Sequence, residues 1–168
     1  MRTTIAAVLA AVCGVGVAQE PAKPGLEHEW LKKHEGTWAA TMKFGGMESK
    51  GTATYKMELG GLWLTSTFEG DMLGQKFSGR GMDTYDPAKK KFTSIWADSM
   101  NTGFVLMEGT YDKDKKTLTM TGTGPGPDGP ATKFKSVAVY PDDDTETFSM
   151  YMGDTKEPSF VIEYKRKK

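Results

Sequence analysis

The chain has 168 residues, of which 22 are basic and 22 acidic, with a single cysteine, eleven methionines and 11% aromatic residues. A charge near zero gives no electrostatic reason to expect nucleic acid or an anionic membrane surface as partner. The length is enough for one domain with a sizeable core.

Met1 and Arg2 make a short positive start, residues 5–17 form an apolar run, and Gly16 and Ala18 supply the small residues a signal peptidase needs. This predicts a signal peptide over residues 1–18, and so a periplasmic or secreted protein. The thirteen apolar residues fall short of the roughly 20 needed to span a bilayer. Cys13 lies within this run, and bulky Val12 before it argues against lipoprotein processing at that thiol. Loss of residues 1–18 would remove Arg2 and Cys13, leaving 21 basic against 22 acidic groups and no thiol. Disulfides and thiolate metal sites are thereby excluded.

Residues 19–25, with Pro21, Pro24 and Gly25, read as a tether to one domain over 26–168. Leu26, Trp30, Leu31 and His34 recur at helical spacing and Gly36 ends the run, which predicts one short helix capping an end of the domain. Beyond it, short β-branched and aromatic runs alternate with polar residues and are cut by Gly, Asp and Pro. The expected strands are 37–44, 50–59, 61–69, 75–85, 90–98, 102–111, 116–123, 131–140, 145–153 and 158–166. About ten antiparallel strands joined by hairpins suit an up-and-down barrel or a sandwich.

Three connections share a device: Tyr85-Asp86-Pro87, Tyr111-Asp112-Lys113-Asp114 and Tyr140-Pro141-Asp142-Asp143. An aromatic ends the strand and Asp or Pro fixes the turn. Spacings of 26 and 29 residues between these tyrosines equal two strands and two turns, so the three hairpins point the same way. Residues 122–130 hold four Gly and three Pro and read as the longest loop, a flexible hairpin tip. No helix start follows to make it a phosphate loop.

Alternation sorts side chains onto two faces. Trp38, Ala40, Met42 and Phe44, then Tyr55, Met57 and Leu59, Leu62, Leu64 and Phe68, Phe148, Met150 and Met152, and Phe160, Ile162 and Tyr164 share the core or cavity face. Abundant methionine suits either gap filling or an adaptable pocket wall. Asp83, Asp98 and Glu108 fall in step with apolar neighbours, and Arg80 shares its face with Met82. Such groups could orient a polar part of a ligand, form an internal ion pair, or lie outside. The basic ending 165–168 reads as a solvated terminus.

No catalytic or metal residue is assigned. His28 and His34 stand six residues apart on the helix, about 240° around its axis, and cannot chelate one metal as an i, i+4 pair could. A serine nucleophile lacks a histidine within the strands.

Gly36-Thr37-Trp38 after a short helix is similar to the G-x-W start of lipocalin and fatty-acid-binding barrels. The resemblance implies that Trp38 packs at the closed end against an arginine from near the chain end, a part Arg166 could take. The segments G-T-A-T-Y-K-M-E-L-G-G-L-W-L (51–64), F-S-G-R-G-M-D-T-Y-D (77–86), W-A-D-S-M (96–100), E-G-T-Y-D (108–112) and the final Y-K-R-K resemble domain-of-unknown-function family 1579, over about residues 26–167. The resemblance implies an all-β, up-and-down antiparallel calycin-like barrel and implies no reaction or cofactor. A longer insert in many members between the first two strands is reduced here to Gly45-Gly46-Met47-Glu48.

The expected function is binding of a small, largely apolar molecule inside an exported barrel. The expected lining is Trp38, Met57, Trp63, Trp96, Phe104 and Met150, with Arg80, Asp83 or Asp98 orienting a polar end. A filled barrel serving as an envelope interaction module is the alternative, and an enzyme with carboxylate acid/base chemistry such as Asp83 with Asp98 is a third. No cofactor is expected.

Overall fold

In the computed structural model, which describes residues 20–72 and 74–168, ten antiparallel strands close into a barrel with a single short helix. The expected signal peptide lies outside the described residues. Helix α1 (Leu26–Lys32) is followed by β1 (Gly36–Phe44), β2 (Met47–Glu58), β3 (Trp63–Met72), β4 (Gln75–Asp86) and β5 (Lys91–Asp98). Then come β6 (Val105–Asp112), β7 (Thr117–Gly126), β8 (Gly129–Asp142), β9 (Thr145–Met152) and β10 (Phe160–Arg166). Each strand pairs with its neighbours in sequence, and β10 returns to β1. Closure leaves no unpaired sheet edge to template aggregation.

Register follows the apolar alternation. Trp38 pairs with Ala53 and Arg166, Ala53 with Phe68, and Phe148 with Ala138 and Ile162, so one face of every strand looks into a common interior. The barrel rather than the sandwich is realised, and glycines let the paired strands β6 and β7 approach closely. A Cβ on Gly109 would stand 2.0 Å from the Thr119 carbonyl oxygen, and one on Gly122 1.9 Å from that of Leu106.

Two expectations are corrected. Residues 122–130 are not a long loop: β7 runs to Gly126 and β8 starts at Gly129, because the ladder continues through Gly126 opposite Gly129 past an irregularity at 124–126. Phe44 and Leu59 do not face the interior. Phe44 ends β1 at an exposed rim, and Leu59 sits in a 3-10 turn at φ 49°, where the strand phase is broken.

The odd-numbered hairpins (β1–β2, β3–β4 and so on) lie at one end of the barrel. The other end holds the 3-10 turn, the three Tyr-Asp turns, both chain termini of the sheet, and α1. Each Tyr-Asp turn is closed by the aspartate accepting backbone N–H groups: Asp86 from Ala88 at 2.9 Å, Asp112 from Lys115 at 3.0 Å and Asp142 from Asp144 at 2.9 Å.

Candidate functional site: a capped barrel with enclosed carboxyls

Trp30 fixes the helix to the barrel. Its indole lies 4.4 Å from the Tyr111 ring, 5.0 Å from Phe92 and 5.4 Å from Tyr140, centroid to centroid, while His34 packs on both Trp30 and Tyr140. Tyrosines that read in the sequence as turn markers thus form the socket of the plug. Such aromatic pairs add about 0.5–1.5 kcal/mol each beyond burial. Burial lowers the pKa of His34, against hydrogen bonds to the Leu31 and Trp30 carbonyls that raise it. His28 is likewise held low by desolvation, and its Nδ1 accepts the Gly25 N–H at 3.1 Å.

Arg166 closes the same end, as the lipocalin resemblance implied. Its guanidinium lies 4.2 Å over the Trp38 ring, and it donates to the carbonyls of Glu35, Lys33 (2.7 Å) and Asp143 (2.8 Å) and to the Asp144 carboxylate (3.0 Å). The Lys33 and Glu35 carbonyls lie where the helix end leaves its acceptors without intrahelical donors. Trp38 completes the contact by donating its indole N–H to the His34 carbonyl at 3.0 Å.

Around the helix a groove of about 620 Å³ opens at this end. Its floor is aromatic (Trp30, Trp38, Tyr85, Phe92, Tyr111 and Tyr140) and its rim charged, with Lys90, Lys113 and Lys116 facing Glu27, Glu29 and Asp142. That volume is within the roughly 300–1,000 Å³ of small-molecule sites.

Behind the floor, the inward faces carry polar groups. Two buried apolar clusters line the barrel, one about Trp38, Phe68, Phe77 and Ile162, the other about Leu64, Met107, Met120 and Phe134, and among the described residues only Tyr55 packs against both. Ladder pairing aligns Asp83 with Leu64 and Ser94, and Glu146 with Tyr164. Desolvation raises Asp83 to about 6, tempered by the Ser94 hydroxyl beside it across the ladder. Glu146 is raised to about 8, by desolvation first and by the Asp83 charge second. The tyrosines at 55, 140 and 164 are all raised by burial, and each also feels Glu146. The Tyr55 hydroxyl beside Tyr164 offsets part of that rise. Tyr140 belongs to both places: it lines the groove and stands within the field of both carboxyls.

At neutral pH Glu146 is therefore a neutral acid and a donor, while Asp83 is largely ionised. Five titratable groups from five strands share the inner face with two apolar clusters and with the buried Ser66 and Ser136.

Of the expected lining, Trp38 is buried at the capped floor, and Met57, Trp96 and Met150 face inward against the apolar clusters. Asp83 faces inward. Asp98 also shares the inner face, at the opposite end, where its carboxylate is occupied by the Trp96 indole N–H (3.0 Å) and the Met100 N–H (2.9 Å). Three expectations are corrected. Trp63 precedes inward Leu64 on β3, so alternation turns it outward. Arg80 is exposed on the outer wall, 3.9 Å from Glu69 and donating to its neighbour's carbonyl at 2.8 Å. Phe104 lies before β6 begins, on an open rim, and is 57% exposed. Glu108 is also outside, bound by Lys89 at 2.5 Å. Glu146 and the three inner tyrosines were missed as polar groups, although Glu146 falls in step with Phe148 and Met150.

A family model described as "Protein of unknown function (DUF1579)" matches residues 23–166. A comparison with curated proteins found no match. Among solved structures, the chain is similar to the crystal structure of Rv2717c from M. tuberculosis, with a TM-score of 0.64 at 16% identity over 86% of this chain and 99% of that one. It is also similar to the S-type phycobiliprotein lyase CPES from Guillardia theta, with a TM-score of 0.59 at 10% identity over 84% and 93% of the two chains. At these identities the likeness shows a shared barrel fold.

Proposed function

The chain belongs to the DUF1579 family of proteins of unknown function, and from that premise we propose that it is a small-molecule-binding barrel whose ligand combines an apolar body with a polar head. The observation that carries this is the pair of half-buried carboxyls, Asp83 and Glu146, on the inner face of a barrel lined by two apolar clusters. Burying them costs stability, and a domain that needed only a core would do better with apolar residues of like size. The aromatic groove at the capped end, which Tyr140 lines, has the volume of a ligand site. The barrel fold is shared with a structure described as a phycobiliprotein lyase.

Export is part of this reading, supported by the apolar run at residues 5–17, and N-terminal sequencing of protein from cell fractions tests it. For the binding itself, native mass spectrometry of protein from its own cells is expected to show a noncovalent adduct lost on collisional activation. A clean apo mass together with no thermal shift across a metabolite and lipid panel counts against it.

A second reading, acid/base catalysis, is favoured by one observation: neighbouring carboxyls raised to about 6 and about 8 form an acid and a base together at neutral pH. Turnover by the wild-type protein that Asp83→Asn abolishes would establish it.

A further inference from the structure

We infer that the lumen is built to receive a cationic nitrogen, so that the ligand class is an amine with an apolar body. This rests on the small-molecule reading above and names the ligand for that same site.

The charge inventory of the interior is one-sided. Every described lysine and arginine except Arg166 is exposed. Arg166 itself is committed to the face of Trp38, to the carbonyls of Lys33, Glu35 and Asp143, and to Asp144. A carboxylate-headed ligand would enter a wall with no free counter-charge and would meet two acids. A cation would find both.

Glu146 is also unoccupied by the protein. Among the described residues it makes no side-chain hydrogen bond, yet no fully covered side-chain polar atom is left without a partner. Its carboxyl oxygens, on the inward side of β9 by register, therefore border open space rather than packed protein. An enclosed carboxyl facing open lumen is an acceptor waiting for a donor, and an ammonium presents three. Tyr164 stands opposite it on β10, and Tyr55 from β2, Asp83 from β4 and Tyr140 from β8 share the inner face of the barrel with it. Three of these four are aromatic rings whose faces attract a desolvated cation.

The proton balance follows. When R–NH3⁺ binds, the O–H bond of Glu146 breaks, its proton leaves to bulk water, and the carboxylate pairs with the ammonium, which keeps its three hydrogens. Association with an amine thus releases a proton, and acid weakens it by keeping Glu146 protonated. A neutral or anionic head gives no such release.

The test is calorimetric titration of the full protein with decylamine, decan-1-ol and decanoate, all below their aggregation concentrations, in buffers of different ionisation enthalpy. Decylamine is expected to bind at least about tenfold more tightly than decan-1-ol near pH 7, the equivalent of about 1.4 kcal/mol, and decanoate more weakly than the alcohol. Amine binding should release a net fraction of a proton and tighten between pH 6 and 8. Glu146→Gln and Asp83→Asn, each checked for a wild-type circular dichroism spectrum, should erase the preference for amine over alcohol, and Glu146→Gln should erase the proton release. Equal or tighter binding of decan-1-ol or decanoate by the wild type overturns the amine assignment while leaving the binding reading intact. Absence of saturable binding by all three overturns both.

Discussion

Trp96 lies flat against Gly79: a Cβ built on that glycine would stand 2.1 Å from the indole Cζ2 and 2.4 Å from Cη2. Gly81, two residues along β4, leaves room for the same ring, and the Trp96 N–H is fixed on Asp98. A large aromatic is thereby laid along the wall instead of across the lumen. Gly79→Ala is expected to push the ring off the wall and cost about 1–3 kcal/mol by overpacking. In Trp96→Leu the same alanine should cost about 1 kcal/mol less, a coupling readable by a double-mutant cycle in urea. Additive costs would show that the ring does not depend on the glycine.

Arg166 serves the helix cap by shape as much as by charge. Arg166→Lys keeps the cation but cannot stack its planar fork on Trp38 while donating to Lys33, Glu35 and Asp143. It is expected to destabilise the barrel by about 2 kcal/mol and to speed hydrogen exchange in α1 more than in the strands. Unchanged exchange in α1 would mean that Trp30 holds the helix without it.

Trp30→Ala removes the ring that Tyr111, Phe92 and Tyr140 grip. A cost of about 2–4 kcal/mol is expected, toward the lower side of buried Trp→Ala changes because Trp30 is partly exposed. The barrel strands should keep their circular dichroism while α1 becomes susceptible to limited proteolysis.

Stability should fall as pH rises above neutrality. Glu146 has a folded pKa of about 8 against 4.5 unfolded, so between pH 6.5 and 8 the native state holds a proton that the unfolded chain has released. With more protons bound to the native state, unfolding becomes easier as pH rises, by up to about 1.4 kcal/mol per pH unit at the lower edge of this window and about half that at pH 8. His28 and His34, lowered by burial, act below about pH 6.5 and in the opposite sense, since acid charges the unfolded histidines first. Denaturant unfolding at pH 6.5 and 8 should thus differ by about 2 kcal/mol in wild type and by far less in Glu146→Gln. Equal slopes for the two proteins would contradict the enclosure of Glu146.

The ten strands were legible because their apolar residues recur with period two and their turns carry Asp, Gly and Pro. Closure was less so, since it depends on β10 returning to β1 across the whole length of the sheet, which no local pattern reports. The outward position of Trp63 was available from Leu64 beside it, but a tryptophan's apolar character suggested the interior. Arg80 and Glu108 could not be placed by pattern, because β4 and β6 alternate residues of mixed polarity. Glu146 stands one turn away from Asp142, Asp143 and Asp144, and in that acidic run only register distinguishes the inward carboxyl from solvated ones. Convergence of Asp83 with Glu146 depends on five strands distant in sequence, which no local spacing reports.

Carboxyl ¹³C NMR across pH tests the enclosed acid pair most directly. Two side-chain resonances, assigned by Asp83→Asn and Glu146→Gln, are expected to titrate with midpoints near 6 and 8, and decylamine should move both to the ionised shift near neutral pH. Ionisation of both below about pH 5, in the range of solvated carboxylates, would contradict the account.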